Sequence, residues 1–128
     1  HKLADVVPNA PTLDGHAIEA RVYAEDPKRF FPSPGKLEVF RPPVATGVRI
    51  ETGYREGLDV TPHYDPLLAK VIVKRATRDK AIDDTIEALE AFEVRGVKSN
   101  IPALITILNS DPFRAGAVHT GLIGELIK

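Results

Sequence analysis

The 128-residue chain has no cysteine, no methionine and no tryptophan. Without a thiol there is no disulfide framework, thiolate zinc site, iron–sulfur cluster or thiol nucleophile, and cysteine usage says nothing about the redox compartment. The missing methionine, together with the lack of a charged-then-apolar leader after His1, suggests that the sequence is a piece of a longer polypeptide with His1 as a cut. Long apolar runs are missing too. The longest, residues 67–73, is interrupted by Lys70 and falls far short of the roughly 20 residues that a bilayer span requires, so no membrane helix is expected. Nor does charge of one sign accumulate: 17 Lys+Arg face 18 Asp+Glu, for a net charge of -1. That balance argues against nucleic acid or an anionic membrane surface as a partner, since both need clustered cations.

The chemistry motifs are equally sparse. No glycine-rich loop precedes Lys-Ser/Thr and no G-x-G-x-x-G opens a helix, so nothing here cradles a triphosphate. The four histidines, His1, His16, His63 and His119, lack metal-ligand spacing and read as structural. There is no G-x-S-x-G elbow, and the aromatic residues are too dispersed to stack bases.

What is present is a globular pattern. A chain of this length suits one domain that buries about two-thirds of its unfolded surface. Residues 1–15 carry Pro8, Pro11, Asn9, Asp14 and Gly15 and read as an extended connector. Alternation over 16–25, with Ile18, Ala20 and Val22 on one face, predicts a half-buried strand. Further strands are expected over 36–40, 47–52 and 58–61, bounded by proline and glycine. The segment 67–74 is the most apolar and should lie centrally in its sheet. The period then changes. Ala81, Ile82, Ile86, Ala88, Leu89 and Phe92 fall at helical spacing over 78–93, with Thr77 as N-cap and Gly96 just past the end. Asp83, Asp84, Glu87 and Glu90 read as its solvated side. A second helix is expected over 101–109, capped by Ser99 or Asn100, and a third over 120–127 with Leu122, Ile123, Leu126 and Ile127 inward. Strands first and helices second predict an α+β fold, a small antiparallel sheet covered by two to three C-terminal helices.

The charged residues that could do chemistry lie on strands. Arg49 shares a strand face with Glu51, and Glu19 shares one with Arg21. Each pair reads either as an i, i+2 ion pair facing solvent or, for Arg49, as a planar five-donor fork for a carbonyl oxygen or an anion where charge develops. Lys70 interrupts an apolar strand, so it snorkels to the edge, faces a site or pairs with a carboxylate such as Asp65; internal pairing is the favoured reading.

Five ordered strings carry a resemblance. Gly15-His-Ala-Ile-Glu-Ala-Arg-Val-Tyr-Ala-Glu-Asp-Pro27, Phe31-Pro-Ser-Pro-Gly-Lys36, Gly47-Val-Arg-Ile-Glu51, Tyr64-Asp-Pro-Leu-Leu-Ala-Lys70 and Arg95-Gly-Val-Lys-Ser-Asn100 resemble, in order and spacing, the C-terminal domain of biotin carboxylase. That domain belongs to the biotin-dependent acyl-CoA and pyruvate carboxylases. The resemblance implies residues 1–15 as a connector from an N-terminal ATP-grasp domain, and 16–128 as the C-terminal domain. It implies an ATP-dependent ligase that carboxylates carrier-bound biotin with bicarbonate, ATP and Mg²⁺ or Mn²⁺ being held by the ATP-grasp domain and not by this piece. Arg49 matches the family's arginine that contacts the biotin ureido oxygen, and is the expected catalytic and biotin-binding residue; Glu51, on the same strand face, is expected to orient it. Expected partners are the ATP-grasp domain, the biotin carboxyl carrier domain and, for some members, a second copy in a homodimer. The piece alone is expected to be inactive, and the setting cytoplasmic, or the mitochondrial matrix in a eukaryote. The alternative is a non-catalytic docking or assembly module of a larger carboxylase.

Overall fold

The computed structural model describes residues 1–7, 9 and 12–127. Its centre is a three-stranded antiparallel sheet in which β6 (Leu67–Arg75) lies between β1 (His16–Tyr23) and β4 (Val48–Thr52). Strand β6 takes the middle because it can lose water on both faces: Leu68, Ala69, Val71 and Val73 are buried and only Lys74 is fully exposed. The register sets Ile18 opposite Val73 and Ala20 opposite Val71 on one side, and Val48 opposite Val73 and Ile50 opposite Val71 on the other. With a side-chain period of two, these residues all face inward, against α2 (Arg78–Glu90). Helix α2 answers with Ala81, Ile82, Thr85, Ala88 and Leu89, and the Thr85 hydroxyl donates to the Ala81 carbonyl at 2.6 Å. Its N-cap is Thr77, whose side chain accepts from the Lys80 amide at 3.3 Å. The α+β class, antiparallel sheet and helical cover are as expected.

Several local expectations need correction. The strand expected over 36–40 is divided into β2 (Gly35–Lys36) and β3 (Val39–Arg41), each in its own two-stranded sheet. At Leu37 the amide donates to Leu58 O, beside β5 (Asp59–Val60), and at Glu38 it donates to Arg95 O, so the chain changes partners between adjacent residues. Fully buried Leu37 is the pivot. The helix expected over 78–93 stops at Glu90, and Glu93–Arg95 forms strand β7 beside β3. Phe92 still reaches the core, edge-on to Phe40 with ring centroids 5.3 Å apart, and this contact turns the chain out of the helix. Gly96 therefore ends a strand: its φ of +94° and a backbone 2.0 Å from where a Cβ would sit leave room only for glycine.

Beyond β7, α3 (Ile101–Asn109) has the expected bounds, and a short α4 (Asp111–Arg114) follows, capped by the Ser110 hydroxyl, which accepts from the Phe113 amide. The last helix, α5, is shorter than expected at Leu122–Leu126; only Leu122 is fully buried and Ile123 is exposed. Asn100 does not cap α3 through its side chain. Its Oδ1 accepts from the Tyr23 amide at 2.8 Å and its Nδ2 donates to the Arg21 carbonyl at 3.1 Å, so a side-chain amide stands in for a neighbouring strand along the edge of β1. In the N-terminal segment read as extended, Leu3–Val6 forms one helical turn, α1, closed by the Lys2 amide donating to the Asp5 carboxylate at 3.2 Å. Pro8 and Pro11 of that reading, and Lys128, lie outside the described residues.

Candidate functional site

The face of the sheet that turns away from α2 gathers the charged strand residues. Arg49 stands opposite Ile72, which stands opposite Glu19; Glu51 stands opposite Lys70, which stands opposite Arg21. The two pairs noticed separately in the sequence thus share one surface, with Lys70 between them. Arg49 and Glu51 meet at 3.1 Å between Nε and Oε1, and both are largely exposed, at 70% and 55%. An ion pair this wet contributes on the order of 0–1 kcal/mol to stability, so the fold does not depend on it. Among the described residues Glu51 is the ion-pair partner of Arg49, and the two Nη groups of Arg49 make no hydrogen bond. Its fork is free to receive a ligand.

A shallow depression of about 350 Å³ opens beside that fork, lined by Ala17, Gly47, Val48, Arg49, Ile72 and Lys74. Cations dominate the surface, with Arg21, Arg49, Lys70 and Lys74 against Glu19 and Glu51. Lys74 is partly neutralised by Asp14 at 2.9 Å, and the hydrogen bond from Lys74 holds the Asp14 carboxyl below its ordinary range. Arg21 lies over the Tyr23 ring, 5.5 Å from its centroid. The arrangement suits a ligand carrying a carbonyl oxygen or negative charge. Among the described residues, no group of three or more His, Cys, Asp or Glu side chains could hold a metal ion.

Lys70 and Asp65 are not brought together as the sequence reading favoured. Lys70 points out of the same face as Glu51, whereas the Asp65 Oδ1 accepts from the Leu67 amide at 2.8 Å and turns the chain into β6. Glu25 is the group that feels Asp65: burial first, and the Asp65 charge second, push its carboxyl above the ordinary range. Asp84 likewise departs from the solvated-face reading. It is buried, accepts the Arg75 Nε–H and takes Lys80 Nζ at 2.6 Å, and these two hydrogen bonds, Lys80's the larger, lower its carboxyl. Arg75 is a further charged residue of structural weight that the sequence leaves unmarked. No local signal marked it, because its partners are nine residues onward in α2 and about 28 residues back in the turn before β4.

The family profile described as biotin carboxylase C-terminal domain matches residues 19–125. The chain is 47% identical over 116 residues to the biotin carboxylase of Halalkalibacterium halodurans, an alignment covering 91% of this chain and 26% of that protein. It is similar in structure to the biotin carboxylase domain dimer of Hydrogenobacter thermophilus 2-oxoglutarate carboxylase, solved with MgADP, ADP and bicarbonate. The TM-score is 0.85 at 42% identity, over 88% of this chain and 25% of that one. Against the complete multifunctional pyruvate carboxylase of Rhizobium etli the TM-score is 0.87 at 34% identity, over 91% of this chain and 12% of that one. The chain thus spans about a quarter, or less, of the length of these proteins.

Proposed function

The chain belongs to the biotin carboxylase C-terminal domain family, and we propose that it forms the biotin side of a biotin carboxylase active site, with Arg49 as the residue that contacts biotin. The carrying observation is the exposed, open-ended guanidinium of Arg49 beside a shallow depression on a cationic sheet face. Biotin supplies a ureido nitrogen that accepts the carboxyl group, and its ureido oxygen gains negative charge as that nitrogen becomes nucleophilic. Arg49 directs its two Nη groups at that oxygen, a planar fork that lysine cannot reproduce. Glu51 faces the Nε edge of the guanidinium at 3.1 Å and favours poses that leave the Nη edge to the ligand. Lys70, opposite Glu51, adds positive potential without occupying the same place.

By similarity to biotin carboxylases, one of them solved with MgADP, ADP and bicarbonate, ATP, bicarbonate and Mg²⁺ or Mn²⁺ are assigned to an N-terminal ATP-grasp domain of the same polypeptide. Residues 1–15 are its connector, and 16–128 the domain itself. On this reading the domain is one part of a ligase, inactive alone, that works with a biotin carboxyl carrier domain in the cytoplasm or the mitochondrial matrix. Dimerisation is favoured by the dimeric state of the Hydrogenobacter thermophilus structure.

The experiment is to measure bicarbonate-dependent ATP cleavage with free biotin in the biotin carboxylase polypeptide that carries this domain. Arg49→Ala should lower kcat/KM for biotin by about 10²–10³-fold while leaving the KM for ATP unchanged, and Arg49→Lys should recover little of it. Wild-type biotin kinetics in Arg49→Ala would instead leave a docking or assembly role.

A further inference from the structure

We propose that Arg75, held by Asp84, is a positioning residue for Arg49: it pins the turn from which β4 starts and so fixes where the biotin-contacting fork points. The inference rests on the reading of Arg49 given above. Strand β4 is an edge strand, hydrogen-bonded to β6 alone, and edge strands fray at their ends unless something else holds them. Side chains hold both ends here. At the far end the Thr52 hydroxyl donates to the Leu68 carbonyl at 2.6 Å. At the near end Arg75 donates through Nη2 to the Thr46 carbonyl at 3.0 Å, and through Nη1 to the Gly47 carbonyl at 3.0 Å and the Lys74 carbonyl at 2.7 Å.

The remaining edge of the guanidinium, Nε–H, is spent on Asp84 of α2, which is itself held by Lys80. The clamp is therefore anchored in α2, the longest helix among the described residues, and both charges are largely shielded, with the Arg75 side chain 21% exposed and that of Asp84 11%. Gly47 is shaped around it. Its φ is +74°, and a Cβ there would lie 2.2 Å from the Arg75 Nη1. Arg49 follows only two residues later, on the opposite face of the sheet from the clamp. A shift of the 46–47 turn would carry the Arg49 backbone with it, and a displacement of about 1 Å at a site remote from the chemistry can cost a hundredfold in rate.

The test uses the biotin carboxylase polypeptide carrying this domain, with free biotin and ATP varied separately. Arg75→Met, which keeps the length of the side chain and removes its donors, should lower kcat/KM for biotin by about ten- to a hundredfold and leave the KM for ATP within about twofold. In an Arg49→Ala background the same substitution should add nothing, because its effect runs through Arg49. An equal loss in that background, a loss shared with ATP, or normal biotin kinetics in a folded Arg75→Met protein would each overturn the proposal. Should Arg75→Met fail to fold, Asp84→Ala, which offers no acceptor to the Arg75 Nε–H, frees the clamp from α2 while keeping Arg75. The same biotin-against-ATP split in a folded Asp84→Ala protein supports the proposal, and its absence sinks it. Normal biotin kinetics in Arg49→Ala defeat the underlying reading; normal kinetics in Arg75→Met, with Arg49→Ala impaired, defeat only this one.

Discussion

The central sheet presents two surfaces made from the same strands. Towards α2 it shows Ile18, Ala20, Val22, Val71 and Val73, all buried; on the other side it shows Glu19, Arg21, Arg49, Glu51 and Lys70. Alternation along each strand separates them by a single residue, so neighbours in sequence serve different ends. The inner surface carries stability through loss of water, whereas the outer one carries exposed charge that costs the fold little and leaves donors for a ligand. Charge on the outer surface can therefore vary without drawing on the core beneath it.

That contrast can be broken most severely from the inside. Ile82→Ala removes a fully buried side chain that α2 presses onto the sheet, and should lower unfolding free energy by about 2–5 kcal/mol, read as a drop in the denaturant midpoint. Acid acts next, through Asp84 at the boundary between helix and sheet. Its carboxyl is lowered in the folded state by hydrogen bonds from Lys80 and Arg75, so its stabilisation is complete above the unfolded value of about 3.9 and is lost as pH falls below it. Thermal melts from pH 6 downward should therefore show a steeper acid limb for the native protein than for Asp84→Asn. The smallest change belongs outside. Glu51→Ala should alter stability by no more than about 0.5 kcal/mol in chemical denaturation, while raising the KM for free biotin in the biotin carboxylase polypeptide as the guanidinium loses its Nε partner. A large stability loss on this outer face would erase the distinction between the two surfaces.

Much of this is legible in the amino-acid sequence. Periodicity marked β1, β4 and β6, the centrality of β6 and the body of α2, because in each the local pattern and the final burial agree. Glu93, at the end of the expected helix, opens strand β7 instead although Phe92 continues the helical spacing; pairing with β3, far back in the chain, wins over local preference. The strand expected over 36–40 divided for a similar reason, since the hydrogen-bond partners of Leu37 and Glu38 lie on different strands. Asp84 followed the exposed side of a helical pattern, yet it is drawn into the structure by a cation at the end of β6.

From the sequence alone follow the class of fold, the inward and outward residues of the strands and the motifs that place the chain among biotin carboxylase C-terminal domains. It also placed Arg49 and Glu51 on one strand face, because alternation is a local property of an extended backbone. Only the tertiary structure decided that Glu19, Arg21 and Lys70 share that surface, and that Arg75 and Asp84 grip the turn leading to it. Register between strands and contacts across long loops depend on which surfaces can lose water together, and no single stretch of chain contains that information.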